Sequence, residues 1–132
     1  MSSNVITVRK VEDRKIKQLI QVNGGTPFYG DEPEPIGNGE GPNPHDLLNA
    51  ALGACTGMTV MMVAQRKQWP LKDVKVEITH SEDDATYRIQ RRIELVGEEL
   101  TAEQRTYLMG IANKCPIHRA LHKKFEVEST LI

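Results

Sequence analysis

Two cysteines, Cys55 and Cys115, are the chain's only thiols and its most reactive side chains. The thiolate is the nucleophilic form of cysteine, and the free N–H groups of a helix N-terminus favour it. Cys115 occupies such a position, because it precedes Pro116 and a short predicted helix over residues 117–121. His118 and Arg119 add positive charge within the following turn. The residues alone therefore give Cys115 the clearer environment for an activated thiol.

Cys55 has a different setting, in the middle of a long apolar helix. Its neighbours on the predicted helix face are Leu52, Met58 and Met62. Burial among them disfavours a thiolate unless a cation from elsewhere in the fold reaches the sulfur. A cysteine in such a helix is typically a small core residue. The sequence is therefore compatible with either a packing role or a catalytic role for Cys55.

A metal site is a further interpretation of the second cysteine. Cys115, His118 and His122 follow one another at i, i+3 and i+7, which places them on one helical face. No second Cys-x-x-Cys pair accompanies them, so a fourth ligand would have to come from Cys55, His45 or water. We expect no metal and no cofactor.

Composition limits the classes of protein. With 132 residues, 39% hydrophobic and 27% charged, the chain is predicted to form one globular domain over residues 1–132. A net charge of −1 gives no broad basic surface for nucleic acid or an anionic membrane. The first seven residues have no basic region followed by an apolar segment, which favours the cytoplasm. In that compartment two cysteines are more often chemical than structural.

The helix that carries Cys55 organises the rest of the chain. Asn43 is a suitable N-cap, Pro44 suits the first helical position, and apolar residues fall on every side over residues 47–64. Asn49, Thr56 and Thr59 interrupt that run, which argues against a membrane span. Because a chain of this size has few elements to enclose such a helix, we expect a partner subunit to cover it.

The remaining pattern predicts an α+β fold with antiparallel sheets. A capping box at Thr101 to Gln104 begins a second long helix, which ends near Lys114. A Pro- and Gly-rich loop over residues 31–42 leads into the first helix, and the simplest interpretation is that it only connects the third strand to this helix. Strands are predicted at residues 5–11, 15–22, 27–30, 71–79, 85–96 and 124–131.

Two segments together resemble the OsmC/Ohr family. The first is Gly41-Pro42-Asn43-Pro44-His45-Asp46-Leu47-Leu48 with Ala51-Leu52-Gly53-Ala54-Cys55-Thr56-Gly57-Met58-Thr59, and the second is Ala112-Asn113-Lys114-Cys115-Pro116-Ile117-His118-Arg119-Ala120-Leu121. The order of elements also matches over essentially the whole chain. The resemblance implies an intertwined α+β homodimer with antiparallel sheets around long central helices.

The resemblance also implies a cysteine-based peroxidase that acts on organic hydroperoxides and is reduced by an external dithiol. Cys55 would be the peroxidatic residue and Cys115 the resolving residue. Family members with peroxidase activity carry a glutamate directly after the Asn-Pro pair, which holds an N-terminal arginine against the thiolate. This chain has His45 at that position, and Arg9 and Arg14 are the nearest arginines.

Two other functions stay open beside catalysis. An apolar, Met-containing cleft near Cys55 could bind a small hydrophobic ligand without turnover, and His45 in place of the glutamate favours that interpretation. Alternatively, both thiols could be core residues, which the cap position of Cys115 weakens.

Overall fold

The computed structural model describes residues 3–132, and the chain divides into two compact units, Met1–Leu48 and Asn49–Ile132. Antiparallel sheets and a long helix confirm the α+β class. One domain over the whole chain stays a prediction. The elements in chain order are β1 (Ile6–Lys10), β2 (Gln18–Val22), β3 (Phe28–Gly30), α1 (Pro44–Arg66), β4 (Asp73–Glu82), β5 (Tyr87–Val96), α2 (Ala102–Ala112) and α3 (Pro116–Leu121).

The first unit contains a three-stranded antiparallel sheet in the order β1-β2-β3. Val8 pairs with Ile20, and Ile20 pairs in turn with Phe28. Asn23 and Gly24 turn the chain between β2 and β3 with positive φ angles of 52° and 68°. Asn and Gly suit this turn, because both tolerate left-handed backbone.

The loop after β3 is organised around one carboxylate. Asp31 is buried, and it accepts hydrogen bonds from the backbone N–H groups of Glu32, Asn38 and Glu40 at 2.8, 3.2 and 3.1 Å. Burial alone would raise the pKa of Asp31, but these three bonds and the charge of Lys17 outweigh it and lower the pKa. The segment predicted as a connector is therefore a structured loop.

The second unit contains the β4-β5 hairpin. Val76 pairs with Ile93 and Ile78 with Arg91, so these side chains share one face of the hairpin. A Cβ placed on Gly53 of α1 would lie 3.4 Å from Ile78 Cδ1, which shows how closely helix and hairpin approach. The opposite face carries exposed polar residues, because successive side chains of a strand point to opposite faces.

A small apolar core lies where the end of α1 meets α2. Its buried members are Val60, Ala64, Leu100, Leu108 and Ala112. The predicted capping box is confirmed, since Gln104 N donates to Thr101 Oγ1 at 3.1 Å and Thr101 N donates to Gln104 Oε1 at 3.0 Å. This cap fixes where α2 begins and thereby where Leu108 enters the core.

Helix α1 buries only one face within its own chain. Asp46 N donates to Asn43 Oδ1 at 2.8 Å, which confirms the predicted N-cap. The buried positions are Asn49, Leu52, Thr56, Val60 and Ala64. Met58 and Met62, on another face, are 71% and 50% exposed. By length and composition α1 could cross a membrane, a test that the core helix of a soluble protein also passes.

The predicted strand over residues 124–131 is wrong for the isolated chain. These residues follow α3 without a strand assignment, and Phe125, Val127 and Leu131 are exposed. The alternation of apolar and polar residues is present, but a strand also needs a neighbouring edge that pairs with its N–H and C=O groups. Among residues 3–132 no strand pairs with the tail.

Replacing Leu108 tests the core. Leu108 is fully buried, so Leu108→Ala removes its apolar contacts and leaves a cavity, and we expect the free energy of unfolding to fall by about 2–5 kcal/mol. Thr106→Ala, an exposed change on the same helix, should shift it by no more than about 0.5 kcal/mol. Urea unfolding of both variants measures the difference, and equal effects would contradict this description of the core.

Candidate functional site

Cys115 caps α3 with its own side chain. The backbone N–H of His118 donates to Cys115 Sγ at 3.4 Å, and Pro116 occupies the first helical position. The side chain is fully buried, and its sulfur lies 3.9 Å from Thr56 Oγ1. The predicted cap is therefore confirmed, and the thiol lies at the helix start where backbone N–H groups favour negative charge.

Cys55 reaches the same helix end from α1. The backbone N–H of Ile117 donates to Cys55 Sγ at 3.5 Å, and Thr59 Oγ1 lies 3.9 Å from the same sulfur. Both cysteines are free thiols, and Cys55 is partly exposed. The sulfurs of two residues 60 positions apart in sequence thus accept hydrogen bonds from consecutive N–H groups of one helical turn.

Arg91 completes this environment. Its Nη1 donates to Thr56 Oγ1 at 2.9 Å and to the carbonyl oxygen of Ala112 at 3.0 Å, and its Nη2 donates to Asn113 Oδ1 at 2.7 Å. The guanidinium therefore connects β5, α1 and the end of α2. One hydroxyl group separates it from the Cys115 sulfur.

Sequence reasoning did not assign Arg91 a role. It lies on the same face of β5 as Ile89 and Ile93, each two positions away in the strand, and this face packs inward. A charged residue among apolar side chains on a buried face needs partners. That conflict was the available signal, but nothing in the sequence indicated that the partners are Thr56 and the end of α2.

His118 lies beside this cluster. Burial lowers the pKa of its imidazole below the ordinary value, and the positive charges of Arg91 and His122 lower it further. The rings of His118 and His122 lie 4.9 Å apart, centroid to centroid. Over residues 3–132 there is no group of three or more His, Cys, Asp or Glu side chains that could hold a metal ion.

A cavity of about 420 Å³ opens within the second unit between the hairpin and the helices. Polar and apolar side chains contribute to its wall. The lining residues are Leu52, Tyr87, Ile89, Arg91, Ile93, Met109, Asn113, His118, Leu121 and His122.

The other predicted site residues belong to the first unit. Arg14 Nε is paired with Glu40 Oε1 at 2.6 Å, and this hydrogen bond is the main reason that the pKa of Glu40 is lowered. Arg9 lies in β1 opposite Leu19, and His45 is an exposed residue in the first turn of α1. A role of these three residues at a thiol stays a prediction.

Comparison with known proteins identifies similar sequences and folds. A family model described as OsmC-like protein matches residues 37–130. No curated protein sequence matches the chain significantly. Several solved structures are similar to it, and three of them are 18–20% identical, a likeness that shows a shared fold alone.

The first is an OsmC like protein from Mycoplasma pneumoniae, 20% identical with a TM-score of 0.74, over 91% of this chain and 87% of that chain. The second is an organic hydroperoxide resistance protein OsmC from Legionella pneumophila, 18% identical with a TM-score of 0.65, over 92% and 90%. The third is the organic hydroperoxide resistance protein OhrB of Bacillus subtilis, 20% identical with a TM-score of 0.62, over 92% and 91%.

The lowered pKa of His118 predicts a pH dependence of stability. The folded protein takes up this proton at a lower pH than the unfolded chain does, so the free energy of unfolding should decrease as pH falls below the ordinary value of 6.5. His118→Gln should flatten this dependence between pH 7 and pH 5, as measured by urea unfolding. The carboxylates with lowered pKa values are Asp31, Glu40 and Asp83, and their protonation affects stability mainly below pH 5, outside this range. An unchanged slope would contradict the assignment.

Proposed function

The chain belongs to the OsmC-like protein family, and on that premise we propose that it is a cysteine-based peroxidase that reduces organic hydroperoxides. Cys55 is the peroxidatic residue and Cys115 the resolving residue. The observation that carries this proposal is the pair of hydrogen bonds from the consecutive N–H groups of Ile117 and His118 to the two sulfurs. Two thiols that accept hydrogen bonds from consecutive N–H groups of one turn lie at the same end of α3, the arrangement that a peroxidatic and a resolving cysteine require.

The proposed reaction has three steps. The Cys55 thiolate attacks the terminal oxygen of the hydroperoxide, the O–O bond breaks, and the organic alkoxide takes a proton and leaves as the alcohol. The Cys115 sulfur then attacks the Cys55 sulfenic acid, an S–S bond forms, and water leaves. An external dithiol reduces this disulfide by exchange, which restores both thiols and leaves the dithiol oxidised.

The different solvent exposure of the two cysteines supports this division of roles. Cys55 is partly exposed, whereas Cys115 is fully buried, so an organic peroxide can approach Cys55 more easily. Arg91 supplies positive charge near the Cys115 sulfur through Thr56. Arg14 and His45 are candidates for the activating pair that the family implies, and Arg14 already has Glu40 as its ion-pair partner.

We also propose that the protein is a homodimer in the cytoplasm, where a dithiol reductant is available. Three observations support a partner copy. Met58 and Met62 expose a strongly apolar face of α1, and the residue 124–131 tail carries three exposed apolar side chains in an alternating pattern. The β4-β5 hairpin is an isolated pair of strands, and such pairs are marginal without further strands.

Removing each cysteine should leave a different chemical trace. Cys55→Ser should reduce consumption of cumene hydroperoxide to background, because the attacking sulfur is gone. Cys115→Ser should still allow one oxidation, which leaves Cys55 as a sulfenic acid that dimedone labels and excess peroxide converts to sulfinate. Peroxide assays and mass spectrometry measure both outcomes.

The parent protein serves as the control for these variants, since it should lose two thiols and gain one disulfide per peroxide. A dimedone adduct on Cys115 in the Cys55→Ser protein would show that the roles are reversed. If the parent consumes no peroxide and neither variant is labelled, ligand binding without turnover becomes the better function, as His45 in place of the family glutamate suggests.

The dimer is tested on the exposed face of α1. Met58→Glu places a charge in the proposed interface, which should be large and apolar, with about 2,000 Å² or more buried. We expect sedimentation at micromolar concentration to show a dimer for the parent protein and a smaller or unfolded species for Met58→Glu. Gln90→Glu, an exposed change on the outer face of β5, should stay dimeric. A folded parent monomer would contradict the proposal.

A further inference from the structure

We propose that the cavity beside Arg91 binds a small monocarboxylate with a short apolar chain, such as a medium-chain fatty acid. The carboxylate pairs with the Arg91 guanidinium, and the chain lies against the apolar wall formed by Ile89, Ile93 and Leu121. This binding needs no thiol chemistry. It therefore stands apart from the proposed peroxidase function.

The charge on Arg91 is the first observation. All its protein acceptors are neutral, namely the hydroxyl of Thr56, the carbonyl of Ala112 and the side-chain amide of Asn113. No carboxylate of residues 3–132 pairs with it, and the cavity has no acidic residue in its described lining. A partly buried cation without a counter-charge creates a positive potential in the cavity, which favours an anion.

The donors of Arg91 are the second observation. The guanidinium has five N–H groups, and two on Nη1 and one on Nη2 are used by the protein. The Nε–H and one Nη2–H have no acceptor within the part of the chain that the structure describes. Nε and Nη2 are neighbouring nitrogens, and planar carboxylates suit such donors better than point-like anions do.

The charge balance limits the class of anion. Arg91 contributes one positive charge, and burial together with the charge of Arg91 lowers the pKa of His118, which disfavours a second positive charge on that imidazole. A doubly charged phosphate monoester would therefore lack a second counter-charge, and a metal cation would meet positive potential. A singly charged carboxylate matches the site.

The shape and polarity of the wall describe the rest of the ligand. The volume of about 420 Å³ falls within the range of small-molecule sites. Apolar side chains from β5, α1, α2 and α3 face it, including Ile93, Leu52, Met109 and Leu121. Such a wall favours an apolar chain by the hydrophobic effect, while Asn113 and the two histidines provide hydrogen-bonding groups near the charged end.

Octanoate is the probe for this site. Isothermal titration of the reduced, full-length protein should detect saturable binding of octanoate and weaker binding of octanamide, which has the same chain without the charge. Arg91→Met should weaken octanoate affinity about tenfold or more, because the charge-assisted bonds are lost. Arg92→Met is the matched control, since Arg92 is the adjacent residue on the exposed face of β5. The octanoate affinity of this variant should equal that of the parent.

A second variant guards against a folding defect in Arg91→Met. Leu121→Trp fills the apolar part of the cavity and leaves Arg91 in place, so it should also abolish octanoate binding while the circular dichroism spectrum stays native. Absence of binding to the parent, or equal binding by the parent, Arg91→Met and Leu121→Trp, would overturn the inference. A protein that consumes peroxide but binds no octanoate would overturn this inference alone.

Discussion

One buried hydroxyl, that of Thr56, connects the elements that form the candidate site. Its oxygen donates to the carbonyl of Leu52 at 2.7 Å and accepts from Arg91 at 2.9 Å. Because a hydroxyl has one proton, and Leu52 receives it, the Cys115 thiol at 3.9 Å is the partner left to donate. A buried polar group must be satisfied, so α1, β5 and the start of α3 hold their mutual positions through this atom.

Local signals in the sequence located most of the elements. Thr101 and Gln104 fixed the start of α2 through a capping box, and Cys115 with Pro116 fixed the start of α3. Alternation identified β4 and β5 and the face on which Arg91 lies. These signals are reliable because the residues that form them are close in sequence, and the backbone groups they satisfy belong to the same turn or strand.

Features that depend on distant residues were not predictable in the same way. The convergence of Cys55 on the N–H of Ile117 joins positions 62 apart, and no spacing rule reports it. The acceptors of Arg91 come from α1 and α2. The tail at residues 124–131 shows the reverse case. Its local alternation predicts a strand, but no strand forms because no neighbouring strand pairs with its N–H and C=O groups.

The two amide–sulfur hydrogen bonds at α3 also make the backbone there a spectroscopic reporter. The amide protons of Ile117 and His118 point at Cys55 and Cys115 respectively. A thiolate, a thiol and a disulfide sulfur differ in their strength as acceptors, so each state gives these two protons different chemical shifts. Nuclear magnetic resonance of ¹⁵N-labelled protein therefore follows each sulfur separately, without a chemical label on either one.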